Sequence, residues 1–284
     1  MVTHSNKGSF TLANGVAIPC PGFGTWRMKA GSETVAAIQE ALALGYRHID
    51  TAAYYQNEES VGQAVRASGL DRKEVFLTSK VWNTDRGYET TLRAFDRTLA
   101  ALGTDYLDLY LIHWPAAANR FPDWKEINRQ TWRALTRLYR EGKVRAIGVS
   151  NFLAHHLEPL LQEEVAPMVN QIECNPGWQQ RELIAYCHAH NILVEAWSPL
   201  GQGRVLGHPL LARLGEKYHR SPAQICLRWC LEAGVLPLPK SNTPRRIQEN
   251  LAIFDFSLSP ADLGQLAALE PFGTSGHDPD HIDF

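Results

Sequence analysis

At 284 residues, with 44% hydrophobic and 20% charged residues, the chain has the make-up of an ordinary globular protein, long enough to bury a full core. A net charge of −2 gives no bulk electrostatic pull toward nucleic acid or an anionic membrane, and no apolar run approaches the roughly eighteen residues of a membrane span. The polar N-terminus, Met1 to Lys7, does not read as a secretory signal, and five cysteines without a Cys-x-x-Cys pair read as reduced thiols in a cytoplasmic protein. Cys226 and Cys230 lie four apart on a predicted helix but keep no further ligands for company, so no metal is expected there.

In chain order, Asn14-Gly15 predicts a two-residue hairpin turn between strands Ser9 to Leu12 and Val16 to Pro19. Gly22 to Trp26 reads as a short strand and loop. Ser32 is the expected cap of a helix with apolar positions Val35, Ile38 and Leu42, ended by Gly45. A strand at 47–50 and a helix from Glu58 to Ser68 follow, then a strand at 75–80 and a helix from Tyr88 to Leu102 ended by Gly103. Strand 107–113 leads through Trp114-Pro115 and Phe121-Pro122 to a helix from about Ile127 to Glu141 that buries Trp132, Leu135, Leu138 and Tyr139. Strand 145–149, helix 153–162, strand 168–172 and helix 181–190 come next, with Asn191 as C-cap. Strand 192–197 runs into a Gly-rich loop. Ser221-Pro222 and Thr243-Pro244 each open a helix, with strand 235–239 between them, and Ser259-Pro260 opens one more before a polar tail.

Strand-then-helix units demand a parallel sheet, because each return needs a crossover. Counted from Gly22 there are eight, the number that closes a (β/α)8 barrel of about 250 residues. The expectation is an α/β TIM barrel with an N-terminal β-hairpin and a C-terminal tail, in one domain over 1–284. A doubly wound sheet is the alternative, but Gly22-x-Gly24 lacks the third glycine of its phosphate-binding turn.

Barrels place their chemistry at the carboxyl ends of strands. Asp50, Lys80 and His113 end three successive predicted strands, and Tyr55 lies in the loop after Asp50. Tyrosine, with a pKa of about 10, needs a nearby cation to act as an acid at neutral pH. A lysine at ~4 Å and an effective dielectric of ~20 contributes about 4 kcal/mol, roughly three pH units on the tyrosine pKa. An aspartate on that lysine cancels part of this but keeps the ammonium charged and in place. A histidine beside the tyrosine orients a substrate oxygen. The set suits proton delivery to a carbonyl oxygen while a hydride arrives from elsewhere; the plain alternative is a structural ion pair and a core histidine.

Two stretches suit a hydride carrier. Ser150, Asn151 and Gln171 can hydrogen-bond an amide such as a nicotinamide carboxamide, and Trp197 offers a stacking face. Pro239 to Arg246 sets Lys240, Ser241, Thr243, Arg245 and Arg246 at a strand end and a helix N-terminus, an anion site by dipole and charge that fits a 2′-phosphate. The alternative is a solvated basic turn.

Gly45-Tyr46-Arg47-His48-Ile49-Asp50-Thr51-Ala52 with Tyr55 to Glu58, Ser79-Lys80-Val81-Trp82, Asp105 to Pro115, Gly148 to Phe152, Asn170 to Pro176, and Pro239-Lys240-Ser241 through Asn250 run in order over nearly the whole chain. Together they resemble the aldo-keto reductase family. Trp197, where many members carry tyrosine, with the short tail from Gly273, is similar to the bacterial branch of 2,5-diketo-D-gluconate reductases. The resemblance implies NADPH bound extended across the barrel, Tyr55 as general acid supported by Lys80 and Asp50, and His113 orienting the carbonyl. It implies cofactor contacts from Gly24, Thr25 and Trp26, from Ser150, Asn151 and Gln171, from Trp197, Ser198, Leu200, Gly201 and Gln202, and from Lys240, Ser241, Asn242, Thr243, Arg246, Glu249 and Asn250. It implies a compact aromatic pocket of Trp26, Tyr54, Trp82, His113 and Trp114, plus the tail, for small aldehydes, ketones, dicarbonyls or keto-sugars.

The expectation is therefore a cytoplasmic, monomeric NADPH-dependent oxidoreductase without nucleic-acid or membrane partners. Intact Asp50, Tyr55, Lys80 and His113 speak against a non-catalytic NADPH-binding redox sensor. A metal-dependent barrel hydrolase lacks a His-x-His at a strand end: His188-x-His190 ends a predicted helix, His155-His156 is helical, and Asp278 to Asp283 reads as a mobile, weakly chelating tail.

Overall fold

The computed structural model describes residues 4–5 and 8–282. A small antiparallel sheet of β1 (His4–Ser5), β2 (Ser9–Thr11) and β3 (Ala17–Pro19) comes first. The hairpin is not the expected two-residue turn. Leu12 N donates to Val16 O and Gly15 N to Leu12 O, both at 2.9 Å, which makes a three-residue loop. Gly15 takes the left-handed position (φ 85°), and Asn14 is drawn out of the turn to donate through Nδ2 to Arg145 O at 2.9 Å. Arg145 lies at the start of a barrel strand, so the hairpin is tied to the amino end of the barrel.

The remaining strands, all neighbouring in chain order and all parallel, are β4 (Phe23–Gly24), β5 (His48–Asp50), β6 (Phe76–Val81), β7 (Leu107–Ile112), β8 (Val144–Ser150), β9 (Val169–Glu173), β10 (Leu193–Trp197) and β11 (Val235–Pro237). The two edges meet through Gly22 N to Pro237 O at 3.1 Å and Gly24 N to Pro239 O at 3.0 Å, so the sheet closes on itself. Glycine is required at this seam because the edges approach closely. A Cβ on Gly22 would lie 2.4 Å from Leu238 Cδ2 and 2.6 Å from His48 Nδ1, and one on Gly24 would lie 3.1 Å from Leu238 O. Every residue of β6 and β7 is buried, as expected for strands covered on both faces.

The helices are α1 (Ser32–Ala43), α2 (Glu58–Ala67), α3 (Tyr88–Leu102), α4 (Trp124–Arg140), α5 (Ala154–Leu161), α6 (Arg181–Ala189), α7 (Pro209–Tyr218), α8 (Pro222–Glu232), α9 (Pro244–Leu251) and α10 (Pro260–Ala267). Ser32 is the first helical residue rather than the cap. Gly31 takes that place and its N–H is satisfied by Ser60 Oγ from α2 at 2.9 Å. Helix α4 starts three residues before the expected Ile127, with Asp123, directly after Pro122, at its N-cap position and without a side-chain cap hydrogen bond. Helix α7 was not foreseen in the Gly-rich stretch. His208 caps it through Nδ1, accepting from Leu210 N at 3.2 Å, and Gly215 in its interior faces Arg220 O, where a Cβ would approach to 2.7 Å. Among the described residues no helix is long and apolar enough to cross a membrane.

The seam separates two kinds of glycine. Gly22→Ala should lower stability by about 1–3 kcal/mol through overpacking, whereas Gly264→Ala, on α10 with no atom within 4 Å of the new Cβ, should raise it by about 0.8–1.0 kcal/mol. Thermal unfolding midpoints of the two variants check both signs.

Candidate active site

Strand β5 delivers Asp50 to the carboxyl end of the barrel, and a short 3-10 turn, Ala53–Tyr55, follows it. This loop is pinned from below. Asp50 O accepts both N–H (3.0 Å) and Oγ1–H (2.9 Å) of Thr25. Asn57, the N-cap of α2, donates to Thr25 O and Met28 O at 3.0 Å each and accepts from Thr51 Oγ1 at 2.7 Å. Thr25 therefore spends its hydroxyl on the loop that carries Tyr54 and Tyr55.

Lys80 is the penultimate residue of β6, not its last, and has no exposed surface. Its Nζ donates to Asp50 Oδ1 and Oδ2 at 2.8 and 2.9 Å and to Thr51 O at 2.8 Å. Tyr55 OH lies 3.5 Å from the same nitrogen. Burial acts to lower the Lys80 pKa, but Asp50 and Tyr55, with the Asp50 hydrogen bonds and Glu195, outweigh it and hold the ammonium above its ordinary value. Lys80 acts on Tyr55 in the expected direction, toward a stronger acid, but the net shift is the other way. Burial dominates and raises the Tyr55 pKa, with Lys80 lowering it and Asp50 raising it. The bidentate aspartate offsets part of the lysine charge as felt at the phenol. Tyr55 is thus held protonated, with an ammonium beside the oxygen where negative charge develops.

His113 directly follows β7. Its ring stands edge-on to Tyr55 (centroids 5.6 Å apart), Trp82 (5.1 Å) and Tyr54 (6.2 Å). Burial, then the Lys80 charge, push its pKa well below the usual histidine range, so it is a neutral imidazole. Tyr54 stacks on Trp82 at 3.8 Å and on Trp26 at 5.8 Å. Trp26 (38% exposed) and Tyr54 (44%) are two of the few large apolar side chains left open to solvent.

Trp114 is buried, packed with Ala117 and Ile282 against Trp82 and Trp197. The tail as far as Ile282 is thus packed down rather than free, and Asp283 of the expected chelating stretch lies outside the described residues. Ser275 N and Oγ donate to Glu173 at the end of β9, at 2.9 and 2.7 Å to Oε1 and Oε2. Asp280 Oδ1 lies 2.9 Å from His155 Nε2 and 3.1 Å from His156 Nε2. This trio has the ligand types of a metal site. However, Leu153 N–H donates to His156 Nδ1 at 3.2 Å, which places the proton of the neutral ring on Nε2, the atom a metal would need. It is a hydrogen-bonded clasp on the tail.

Behind the tyrosine, Ser150 Oγ donates to Gln171 O at 2.8 Å, and Asn151 Nδ2 donates to His113 O and Ser150 Oγ at 3.0 Å each. Trp197 Nε1 donates to Asn151 Oδ1 at 2.8 Å. Gln171 Nε2 turns inward, donating to Asp50 Oδ2 at 2.9 Å and Glu195 Oε2 at 2.8 Å. After Trp197 the chain takes left-handed conformations at Ser198, Gly201 and Gln202. Leu200 packs against the core, and Arg204 ties this loop to the tail through Gly273 O at 3.0 Å.

In the basic turn, Ser241 is buried and its Oγ accepts from Thr243 N at 3.1 Å, while Lys240, Asn242, Thr243 and Arg246 are exposed. The count of unbalanced cations differs from the expectation. Arg245 pairs with Glu249 at 3.0 Å, so that carboxylate is already engaged, and Asn250 is buried beside it. Arg27 takes the place of Arg245: burial, then the Arg27 charge, lower the Lys240 pKa. Nothing in the sequence brings Arg27 to the far end of the chain; barrel closure does. Glu195 was also passed over, although an acidic residue inside the apolar run Ile192 to Trp197 was its signal.

The model of the aldo/keto reductase family matches residues 22–271. The chain is 49% identical over 281 residues to glyoxal reductase of Bacillus subtilis, spanning 99% of each, and 43% identical over 282 residues to methylglyoxal reductase DkgA of Salmonella typhimurium, spanning 98% of this chain and 99% of that one. It superimposes with a TM-score of 0.90 on a mutant of Gox0644 crystallised with NADPH, at 40% identity over 98% of this chain and 99% of that one.

Removing one partner of a buried ion pair leaves an uncompensated charge and costs about 3–5 kcal/mol. Asp50→Asn should therefore lose about that much stability, while the double variant Asp50→Asn, Lys80→Met should recover most of the loss. Denaturant unfolding of the wild type, the two single variants and the double variant closes the cycle.

Proposed function

The chain belongs to the aldo/keto reductase family, and from that membership and the geometry at its barrel mouth we propose that it reduces small carbonyl compounds to alcohols with NADPH. The observation that carries this is Lys80, wholly buried, chelated by Asp50 and 3.5 Å from the Tyr55 hydroxyl, beneath a mouth of exposed aromatic rings. A structural ion pair alone gives no reason to hold a protonated phenol against the ammonium with Trp26 and Tyr54 left open to solvent.

When bound, NADPH supplies the hydride to the carbonyl carbon. Tyr55 donates its proton to the carbonyl oxygen and is left as a phenolate beside Lys80, whose ammonium Asp50 keeps in place. His113, neutral, hydrogen-bonds the same oxygen and orients it. Ser150, Asn151 and the remaining face of Gln171 would hold the carboxamide, and Trp197, braced by Asn151, would offer its face to the nicotinamide. Gly24, Thr25 and Trp26 with the loop Ser198 to Gln202 would hold the middle of the cofactor. Lys240, Ser241, Asn242, Thr243 and Arg246 would bind the 2′-phosphate, with Arg27 as a further cation, and Glu249 and Asn250 would serve the adenine. The fit of this group rests on Lys240 and Arg27, two neighbouring cations whose mutual repulsion a phosphate relieves.

The substrate pocket is the wall of Trp26, Tyr54, Trp82, His113 and Trp114. Ile282 fills the space against Trp114, which keeps the pocket small. Small aldehydes and dicarbonyls suit it, in line with the names of the glyoxal and methylglyoxal reductases; ketones and keto-sugars are the larger members of the class. The protein acts as a single domain, as a cytoplasmic monomer.

Tyr55→Phe should lower kcat/KM on a panel of methylglyoxal, an aromatic aldehyde and 2,5-diketo-D-gluconate by about 10²–10⁴-fold, with NADPH binding by fluorescence unchanged. Full activity in that variant reassigns the acid, and tight NADPH binding without turnover of any carbonyl in the wild type favours a sensor. Arg246→Gln should raise the KM for NADPH roughly tenfold to a hundredfold, the equivalent of about 1.5–3 kcal/mol for a charge-assisted contact, and leave the KM for NADH unmoved.

A further inference from the structure

Beneath the catalytic four lies a second buried carboxyl that the reaction as described does not use. Glu195, on β10, has no exposed surface, pairs in register with Gln171 of β9 and Leu236 of β11, and shares the Gln171 amide with Asp50. Asp50 and His48 face it from β5, Lys80 from β6 and Cys20 from the turn ahead of β4; Tyr55 lies beyond Lys80. Its Oε2 accepts from Gln171, its Oε1 has no hydrogen-bond partner, and His48 Nε2, engaged with Thr78 Oγ1 at 3.0 Å, stands 4.0 Å away.

The charges do not balance if both carboxyls ionise. Lys80 is the one cation among these groups, and its three N–H bonds go to Asp50 and Thr51. His48 is neutral, held at about 4 chiefly by burial. A second carboxylate would put uncompensated negative charge in a dry interior, against Asp50. Burial, then the Asp50 charge, accordingly push the Glu195 carboxyl up to about 8. With Oε2 as acceptor, the proton sits on Oε1. Because the Asp50 carboxylate only accepts, the Gln171 amide can present only its NH2 inward, and its carbonyl oxygen is left to face the other way.

We propose that Glu195 is a positioning residue of the reductase site: protonated, it anchors Gln171 and leaves the Lys80–Asp50 pair with a single carboxylate, and its ionisation sets the alkaline limit of carbonyl reduction. The inference rests on the reductase reading. During reduction the hydride leaves a nicotinamide C–H bond, which oxidises NADPH to NADP+, and forms a C–H bond at the carbonyl carbon; the C=O π pair moves to oxygen, and that oxygen takes the Tyr55 proton to give the alcohol. The charge left on Tyr55 is stabilised by Lys80 and opposed by any new anion behind Asp50. Ionised Glu195 is such an anion, so the rate falls as it loses its proton.

The experiment compares wild type with Glu195→Gln, which keeps an oxygen for Gln171 but cannot ionise. The pH profile of kcat/KM for methylglyoxal should show an alkaline fall in wild type that the variant displaces upward by about half a pH unit or more. A difference infrared spectrum should show a protonated-carboxyl stretch in wild type at neutral pH, lost on alkaline titration and missing from the variant. Coincident alkaline limbs overturn the proposal, as does the lack of that band in wild type, a readout that survives if the variant fails to fold. Loss of turnover on every carbonyl in wild type defeats the reductase reading and the proposal with it, while the infrared band still reports whether the buried proton is there.

Discussion

The site depends on one interaction, the ion pair of Lys80 and Asp50 inside the barrel. Two charges removed from water cost several kcal/mol each, and their attraction repays this only when the geometry is near ideal and the remaining donors are satisfied. Here the ammonium has three acceptors within 2.9 Å. The rest of the neighbourhood follows from that demand. Thr25 and Asn57 brace the loop that carries Thr51 and Tyr55. Gln171 covers the outer oxygen of Asp50. Glu195 stays protonated because one cation cannot serve a second buried anion, and His48 stays neutral chiefly because it is buried.

The same pair shapes the acid. A lone lysine beside a tyrosine makes it more acidic; a lysine already chelated by aspartate does so less, and burial then decides the direction. The arrangement keeps the proton on the phenol until charge begins to form on its oxygen, which is the moment at which an ammonium fixed 3.5 Å away contributes most. Lysine here is less a means of lowering a resting pKa than a preorganised counter-charge.

Fold and site were unequally legible. Asp50, Lys80 and His113 could be placed at successive strand ends because each closes a short segment with apolar residues that leads into a loop and the next helix. Their convergence follows from a parallel closed sheet, in which strand ends gather at one rim. Helix α7 escaped notice because Gly207 and Gly215 disguise it as loop, and its cap is a histidine rather than a serine or aspartate. Ser32 looked like a cap, but the glycine before it takes that place at a positive φ (134°), which a side chain would disfavour, while the Ser60 side chain satisfies its N–H.

What the sequence by itself determined was periodicity and local chemistry: the strand-and-helix rhythm, the helix starts at Ser221, Thr243 and Ser259, the three polar side chains at strand ends with Tyr55 in the loop between, and the basic turn after β11. These depend on neighbours along the chain, and neighbours along the chain are what a sequence displays. Only the tertiary structure decided which charges meet. Arg27 comes to Lys240 across the barrel seam, Glu195 and Asp50 share one amide, Arg245 is withdrawn by Glu249, and Asp280 fastens the tail to His155 and His156. Desolvation depends on what is packed around a group from every side, and that is set by closure of the sheet rather than by the order of residues in any one segment.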